Sequence, residues 1–388
     1  MPVIKKVKKM INDMDKPLLI VTILLLIFGT LNIVTASSRE AISNDAPLYY
    51  YFYKQIAILG IGLFIFLIGI NIKTKDYKKY AFIGFIVVLG VLLYLTLFGT
   101  YYRGANNWIN IAGVTFQPSE FAKPVIIVCL SILFELFYRR LRTKNIEHYN
   151  LISIILFFGV AIPVIIFLQK DFGTMLIILS IFGVMFLASP ILKVEKFKTI
   201  ILLFVLMLVF VLMMVMKNGT LFTDEQKDRF NFFNPCSNYE EGGYQVCNGF
   251  IAINNGGLLG LGIGKSQQKY SYIPEPHTDS VFAIFAEEWG LLMCFVVLAS
   301  YIFILTRIFN ISSNASTLRG RYMALGIGVY IFMHILINLG GLFGVLPLTG
   351  VPLPFLSYGG SFTLSLILSL TIVQRIHIET KNEKIKIK

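Results

Sequence analysis

The chain has 388 residues, of which 56% are hydrophobic and only 14% are charged. Soluble domains carry roughly 25% charged residues to keep their surface in water, so a soluble fold is excluded and an all-α, polytopic membrane protein is implied. The formal net charge of +13 does not point to nucleic acid, because Lys and Arg fall in short stretches between apolar runs and not on one face or tail.

A helix needs about 20 apolar residues to cross about 30 Å of hydrocarbon. Ten candidate spans follow in chain order: 17–36, 52–72, 80–99, 117–137, 151–168, 173–189, 197–216, 279–307, 321–343 and 353–376. The fifth and sixth are short and nearly abut at Gln169-Lys170-Asp171. The first follows Lys5, Lys6, Lys8, Lys9 and Lys16, and no small-residue cleavage site comes after it, so it reads as a helix and not a signal peptide. With the N-terminus in the cytoplasm every inner connection is basic, which places both tails, 1–16 and 377–388, inside. One extramembrane stretch is long, from 217 to 278 on the outer side, with glycine clusters at Gly242-Gly243 and Gly256-Gly257. Loops of that length are usually functional or disordered. No soluble domain or repeat appears elsewhere.

Cys129 and Cys294 fall inside apolar spans and read as small buried hydrophobes. Cys236 and Cys247 share the outer loop, in a non-cytosolic compartment. They are either two free thiols or a disulfide that would stabilise the loop by about 2–3 kcal/mol. His148, His277, His334 and His377 lack metal-ligand spacing, which argues against a protein-built zinc site.

Ionisable residues within or beside spans are the default functional candidates, because charge is costly in lipid. Four clusters qualify. The first is Arg103-Gly104-Ala105-Asn106-Asn107-Trp108 with Gln117-Pro118-Ser119-Glu120 and Lys123. Glu120 and Lys123 are either a helix-start ion pair or a cation held at the membrane edge for an anionic headgroup. The second, Gln169 to Thr174, is a polar break that reads as a tight outer loop or as the lining of a cavity. In the third, Pro274-Glu275-Pro276-His277-Thr278-Asp279, the two prolines fix the chain before a helix that Thr278 or Asp279 can cap. Glu287 and Glu288 follow about 12–13 Å deeper on the same helix and read as interhelical hydrogen-bonding groups, which leaves Asp279 at the outer mouth as the better base. The fourth, Asn338 to Ser361, is rich in Pro and Gly and ends in Ser357-Tyr358-Gly359-Gly360-Ser361, where freed backbone amides suit phosphate oxygens. An outward-facing polar crevice with one well-placed carboxylate suits glycosyl or phosphoryl transfer on a lipid-linked substrate. It also suits a carrier for an amphiphile.

Together these clusters resemble the SEDS family (FtsW, RodA and SpoVE) of bacterial peptidoglycan polymerases. The resemblance rests on Gln117 to Lys123, on Ala252-Ile253 with Gly256-Gly257, on Pro274 to Asp279 with Glu287-Glu288, and on Pro347 to Phe355 through Ser357 to Ser361. It implies a single transmembrane domain over residues 1–388, an external active site at the cell membrane, and polymerisation of lipid II into glycan strands. It also implies a divalent cation, Mg or Mn, no organic cofactor, and work beside a class B penicillin-binding protein in the division or elongation machinery. The family's catalytic aspartate falls on Asp279, and its functional Glu and Lys fall on Glu120 and Lys123. Substrate contacts are expected from Arg103, Trp108, Gln117, Ser119, Lys170, Asp171, Pro274, Thr278, Ser357, Gly359, Gly360 and Ser361. Two departures stand out. Asn107 occupies the place of an Arg before the Trp, and Lys170 replaces the Pro of a Gln-Pro-Asp motif, so Arg103 and Lys170 are the cations available to replace that Arg. A flippase would be expected to show inverted repeats and a midplane site, and a scaffold would have no use for Asp279.

Overall fold

The computed structural model describes residues 11–99, 107–111, 114–142, 148–218, 234–237, 243–270 and 273–387. Its helices, in chain order, are α1 (Lys16–Ala36), α2 (Ser38–Ser43), α3 (Tyr50–Gly69), α4 (Tyr77–Phe98), α5 (Pro118–Arg142), α6 (His148–Leu168), α7 (Phe172–Ala188), α8 (Lys193–Asn218), α9 (Tyr244–Gly256), α10 (Val281–Asn314), α11 (Leu318–Leu342) and α12 (Gly360–Ile387). One antiparallel hairpin, β1 (Ile109–Ile111) with β2 (Val114–Phe116), precedes α5 and pairs Asn110 with Thr115. Among the described residues eight helices are long and apolar enough to cross a membrane: α1, α3, α4, α5, α6, α10, α11 and α12. α7 is apolar but has 17 residues, and α8 occupies the expected seventh span.

The tenth span begins later than the sequence suggested. Pro354 disfavours helix at Leu353 and Phe355 has a φ of 69°, which is not helical, so residues 353–359 belong to an irregular strap and α12 starts at Gly360. At its other end α12 continues to Ile387, so most of the expected 377–388 tail is helix. Arg375 and Glu379 pair at 3.0 Å one turn apart along that extension.

The long outer stretch is not simply a loop, because it contains α9. That helix buries Gly249, Ala252 and Gly256, which lie along one side at i, i+3 and i+7. A Cβ on Gly249 would sit 2.8 Å from Leu342, and one on Gly256 would sit 2.1 Å from the carbonyl of Ala286. Beyond Val246 and Cys247 in the first turn, the buried face is thus made largely of small residues, which let helices approach closely and carry little hydropathy signal. Cys236 and Cys247 are joined in a disulfide, with Cα atoms 4.9 Å apart, and Cys247 lies in the first turn of α9. Cys129 and Cys294 are buried and free.

α10 was expected to be one continuous span. It is broken at Gly290, whose φ of 76° and ψ of 174° are not helical. In an unbroken helix the amides of Leu291 and Leu292 would bond to the carbonyls of Glu287 and Glu288. Here the 257–262 segment takes both sets of groups. Leu261 and Gly262 donate to the Glu287 and Glu288 carbonyls at 2.9 and 3.0 Å, while Leu291 and Leu292 donate to Gly257 and Leu258 at 2.9 and 3.3 Å. These four bonds replace those the break removes, as burial in the membrane requires.

α5 shows the same accounting on a smaller scale. Pro124 lies inside the helix and has no N–H for the carbonyl of Glu120. The hydroxyl of Ser365 on α12 donates to that carbonyl instead, at 2.8 Å. Ser365→Ala should therefore cost about 1–3 kcal/mol, the range for an unsatisfied buried acceptor. In a Pro124→Ala background, where the helix supplies its own amide, the same change should cost under about 0.5 kcal/mol. Thermal melts of the four proteins in detergent measure the coupling.

Candidate active site

The four clusters meet around the strap between α11 and α12. Two side chains of α11, one helical turn apart, hold it. The amide of Asn338 donates to the carbonyls of Val351 (2.8 Å) and Asp279 (2.7 Å), and Nδ1 of His334 lies 3.1 Å from the carbonyl of Pro352. The strap closes on itself where Leu353 donates to the hydroxyl of Ser357 at 2.7 Å. Tyr358 donates to the carbonyl of His277 at 2.8 Å, so the fourth cluster is tied to the third at both ends.

Asp279 stands in the turn before α10. The cap of that helix is Ser280 and its side chain makes no capping bond, so neither Thr278 nor Asp279 serves as the expected cap. The hydroxyl of Thr278 lies 3.3 Å from one carboxylate oxygen of Asp279 and 2.9 Å from the carbonyl of Glu275. The other carboxylate oxygen faces Gly350, where an added Cβ would come within 3.8 Å. Asp279 remains half-buried. Desolvation raises its carboxyl above the ordinary value, against donors from the backbone of Asp279 and Ser280 and the side chains of Thr278 and Gln245. Among the described residues no cation pairs with it.

Glu287 and Glu288 are occupied elsewhere. Glu287 accepts from the hydroxyl of Ser266, the amide N–H of Gln268 (3.2 Å) and the side chain of Asn255 (3.3 Å). Glu288 pairs with buried Lys269 at 3.2 Å, and Lys269 also donates to the carbonyl of Gly264 at 2.6 Å. Only Asn255 among these partners is helical. These carboxylates contact the 264–269 loop more than they join helices.

Glu120 and Lys123 are enclosed within the bundle. They form an ion pair of 2.7 Å with side chains 2% and 0% exposed, and Nε2 of His334 lies 2.9 Å from the ammonium. A sealed lysine cannot meet a headgroup in this conformation, so its expected substrate contact is replaced by a bracing one. Ser119 is equally enclosed. His334, set aside for lack of metal spacing, is the residue that joins this pair to the strap. The one sequence signal for it was its position inside an apolar span.

Asp171 gathers the first and second clusters. One oxygen accepts from Asn107 (2.7 Å) and Gln117 (3.0 Å), and the other caps α7 through Thr174 (3.1 Å). Asn107 therefore fills a hydrogen-bonding place in which no replacement cation is required. Gln117 also donates its backbone N–H to Ser361 at 2.9 Å. Lys170 is exposed and has a φ of 64°, a left-handed turn that ends α6 and aims Asp171 at α7. Pro274 is exposed, Trp108, Thr278, Gly359 and Gly360 are half-buried, and Ser357 and Ser361 are buried. Arg103 lies outside the described residues. No three metal-ligating side chains cluster among the described residues.

A family model described as a cell cycle protein family, that of FtsW, RodA and SpoVE, matches residues 16–382. The chain is 33% identical to the probable peptidoglycan glycosyltransferase FtsW of Bacillus subtilis (strain 168), over 96% of this chain and 93% of that protein. It is 32% identical to the probable peptidoglycan glycosyltransferase FtsW of Enterococcus hirae, over 93% and 90%. Its fold is similar to that of a chain from a peptidoglycan synthase complex, solved for its structural coordination of polymerization and crosslinking, with a TM-score of 0.72, 21% identity and coverage of 95% and 98%. The crystal structure of the rod shape determining protein RodA of Thermus thermophilus matches with a TM-score of 0.66, 22% identity and coverage of 94% and 96%.

The buried pair gives a direct test. Lys123→Met leaves Glu120 as an unpaired buried charge and should lower stability by about 3–5 kcal/mol, whereas Glu120→Gln with Lys123→Met should recover most of that loss. Yield of monodisperse protein and thermal melts report the difference.

Proposed function

This chain belongs to the FtsW, RodA and SpoVE family of cell cycle proteins, and from that membership we propose that it is a peptidoglycan glycosyltransferase that polymerises lipid II into β-1,4-linked glycan strands on the outer face of the cell membrane. The observation that carries the reading is Asp279. It is half-buried at the junction of the strap, α10 and α11, it caps no helix, and its carboxylate has no cation partner among the described residues. The acidic side chains Glu120 and Glu288, by contrast, are each ion-paired with a buried lysine, and Glu287 accepts from the 266–268 loop.

In the proposed reaction the growing strand is the donor, held through undecaprenyl pyrophosphate, and lipid II is the acceptor. Asp279 takes the proton from the GlcNAc 4-hydroxyl as that oxygen attacks the anomeric carbon of the donor MurNAc. The bond to pyrophosphate breaks as the new glycosidic bond forms, and an α-linked donor gives a β product. Inversion in one displacement calls for one base and no carboxylate nucleophile. The turn geometry supports this role: Asn338 fixes the backbone carbonyl of Asp279 and leaves its carboxylate free to receive a proton. Burial keeps the carboxyl basic enough to accept one. In this reading Lys170, exposed beside Asp171, is a cation for the departing pyrophosphate, since Lys123 is enclosed.

A divalent cation is expected from the family, yet the described residues do not build a cage for one. Such an ion would take most of its ligands from the lipid pyrophosphate, as Mg²⁺ commonly does, and the protein steps above stand on side chains alone. The solved relative from a peptidoglycan synthase complex supports a crosslinking partner. We assign that partner to the class B penicillin-binding proteins, working in division or elongation.

Asp279→Asn should fold normally and lose about 10²–10⁴-fold in polymerisation of labelled lipid II. The base must be deprotonated, so activity should fall as pH drops through its raised pKa. The acid limb of the rate should then lie above the ordinary Asp value of about 3.9. Near wild-type polymerisation by Asp279→Asn overturns the mechanism.

A further inference from the structure

The outer segment contributes one group to the base that the motifs did not reveal. Gln245 sits in the first turn of α9, and its side-chain amide donates to the hydroxyl of Ser280 at 2.8 Å. Ser280 is the residue after Asp279 and caps α10. Through that bond the side chain holds the turn that carries Asp279, and it favours the charged form of the carboxylate beside it. Two residues further along the same turn, Cys247 is bonded to Cys236.

We propose that Gln245 is a positioning residue that holds the Asp279 carboxylate for proton transfer, and that the Cys236–Cys247 disulfide braces Gln245 in place. The proposal rests on the reading of Asp279 as the general base.

Three observations support it. First, α9 is located by backbone contact and not by loose packing. Its Gly256 lies against the Ala286 carbonyl, and its Asn255 donates to Glu287 at 3.3 Å. The far end of α9 is therefore fixed to α10, and the disulfide ties the end that carries Gln245 to Cys236. Second, the groups that face Asp279 from the elements packed on it are neutral: Gln245 from α9, Asn338 from α11 and Gly350 from the strap. On its own segment Glu275 accepts from Thr278, and His277 is paired with Glu40 at 3.1 Å. Third, an uncharged donor that favours the carboxylate form lowers the proton affinity of a base that burial has raised. It keeps Asp279 ionised at neutral pH without binding it so tightly as a buried cation would.

The test measures the protonation of Asp279 separately from turnover. In detergent-purified full-length protein, carbodiimide with glycine ethyl ester labels protonated carboxyl groups, and mass spectrometry of the Asp279 peptide across pH gives a midpoint. Gln245→Met keeps the side-chain length and removes the donors. It should raise the midpoint by about one pH unit, the effect of one hydrogen bond to a charged group, with an unchanged melt. Gln245→Glu places a like charge there and should raise it further. Cys236→Ser with Cys247→Ser should raise it in the same direction by a smaller amount. The acid limb of the polymerisation rate should move with the midpoint in every variant. A midpoint that stays put in Gln245→Met overturns the proposal, and one that stays put in the disulfide-free protein removes the brace. A midpoint that moves while the rate profile does not would uphold the Gln245 contact and overturn the general-base reading of Asp279.

Discussion

A lysine ammonium sealed inside a helix bundle has to be neutralised where it stands, because lipid and packed side chains offer it no water. Here Glu120 and His334 surround Lys123 at 2.7 and 2.9 Å. That contact draws α5 and α11 together at a fixed depth and turns the other nitrogen of His334 toward the strap. One turn further on, Asn338 ties the same strap to the backbone of Asp279. The strap and the turn that carries Asp279 are thus positioned through α11 by a buried charge pair. Replacing a residue in that pair would displace the strap before it altered any chemistry.

The acids of the chain divide by what surrounds them. Glu120 and Glu288 each face a buried lysine, Glu287 accepts three hydrogen bonds, and all three lie almost wholly out of solvent. Asp279 has neutral donors, no cation among the described residues, and an opening to solvent. Cost in the membrane marks all four residues as unusual, and only their partners separate Asp279 from the other three. The shallow hollow elsewhere in the molecule, about 320 Å³ beside Arg321 and Tyr322, lies far from these groups in the chain's topology and shares none of them.

Much of this was legible in the sequence. Apolar length located the main helices, and the prolines and glycines at 347–360 marked the strap correctly as non-helical, although the tenth span was drawn across it. Asp279 stood out because a helix-start carboxylate followed two prolines. What escaped notice had weak or misleading local signals. Beyond its first turn α9 buries largely small residues, so its buried face carries little hydropathy signal. The break at Gly290 looks like one glycine in a long apolar run, and its cause is a segment some thirty residues earlier that supplies the missing hydrogen bonds. The Lys123–His334 contact joins residues 211 positions apart, and neither residue type at that spacing signals the other. Asn107 looked like a lost cation until Asp171 was seen to accept its amide.

The most direct measurement is a structure of the full chain in lipid nanodiscs with a non-transferable glycan donor and lipid II bound. The account places the acceptor 4-hydroxyl within about 2.6–3.2 Å of the Asp279 carboxylate, with the donor pyrophosphate on the side of Lys170 and Lys123 still enclosed by Glu120 and His334. An acceptor hydroxyl held by a different side chain, with Asp279 turned away from both sugars, would contradict it.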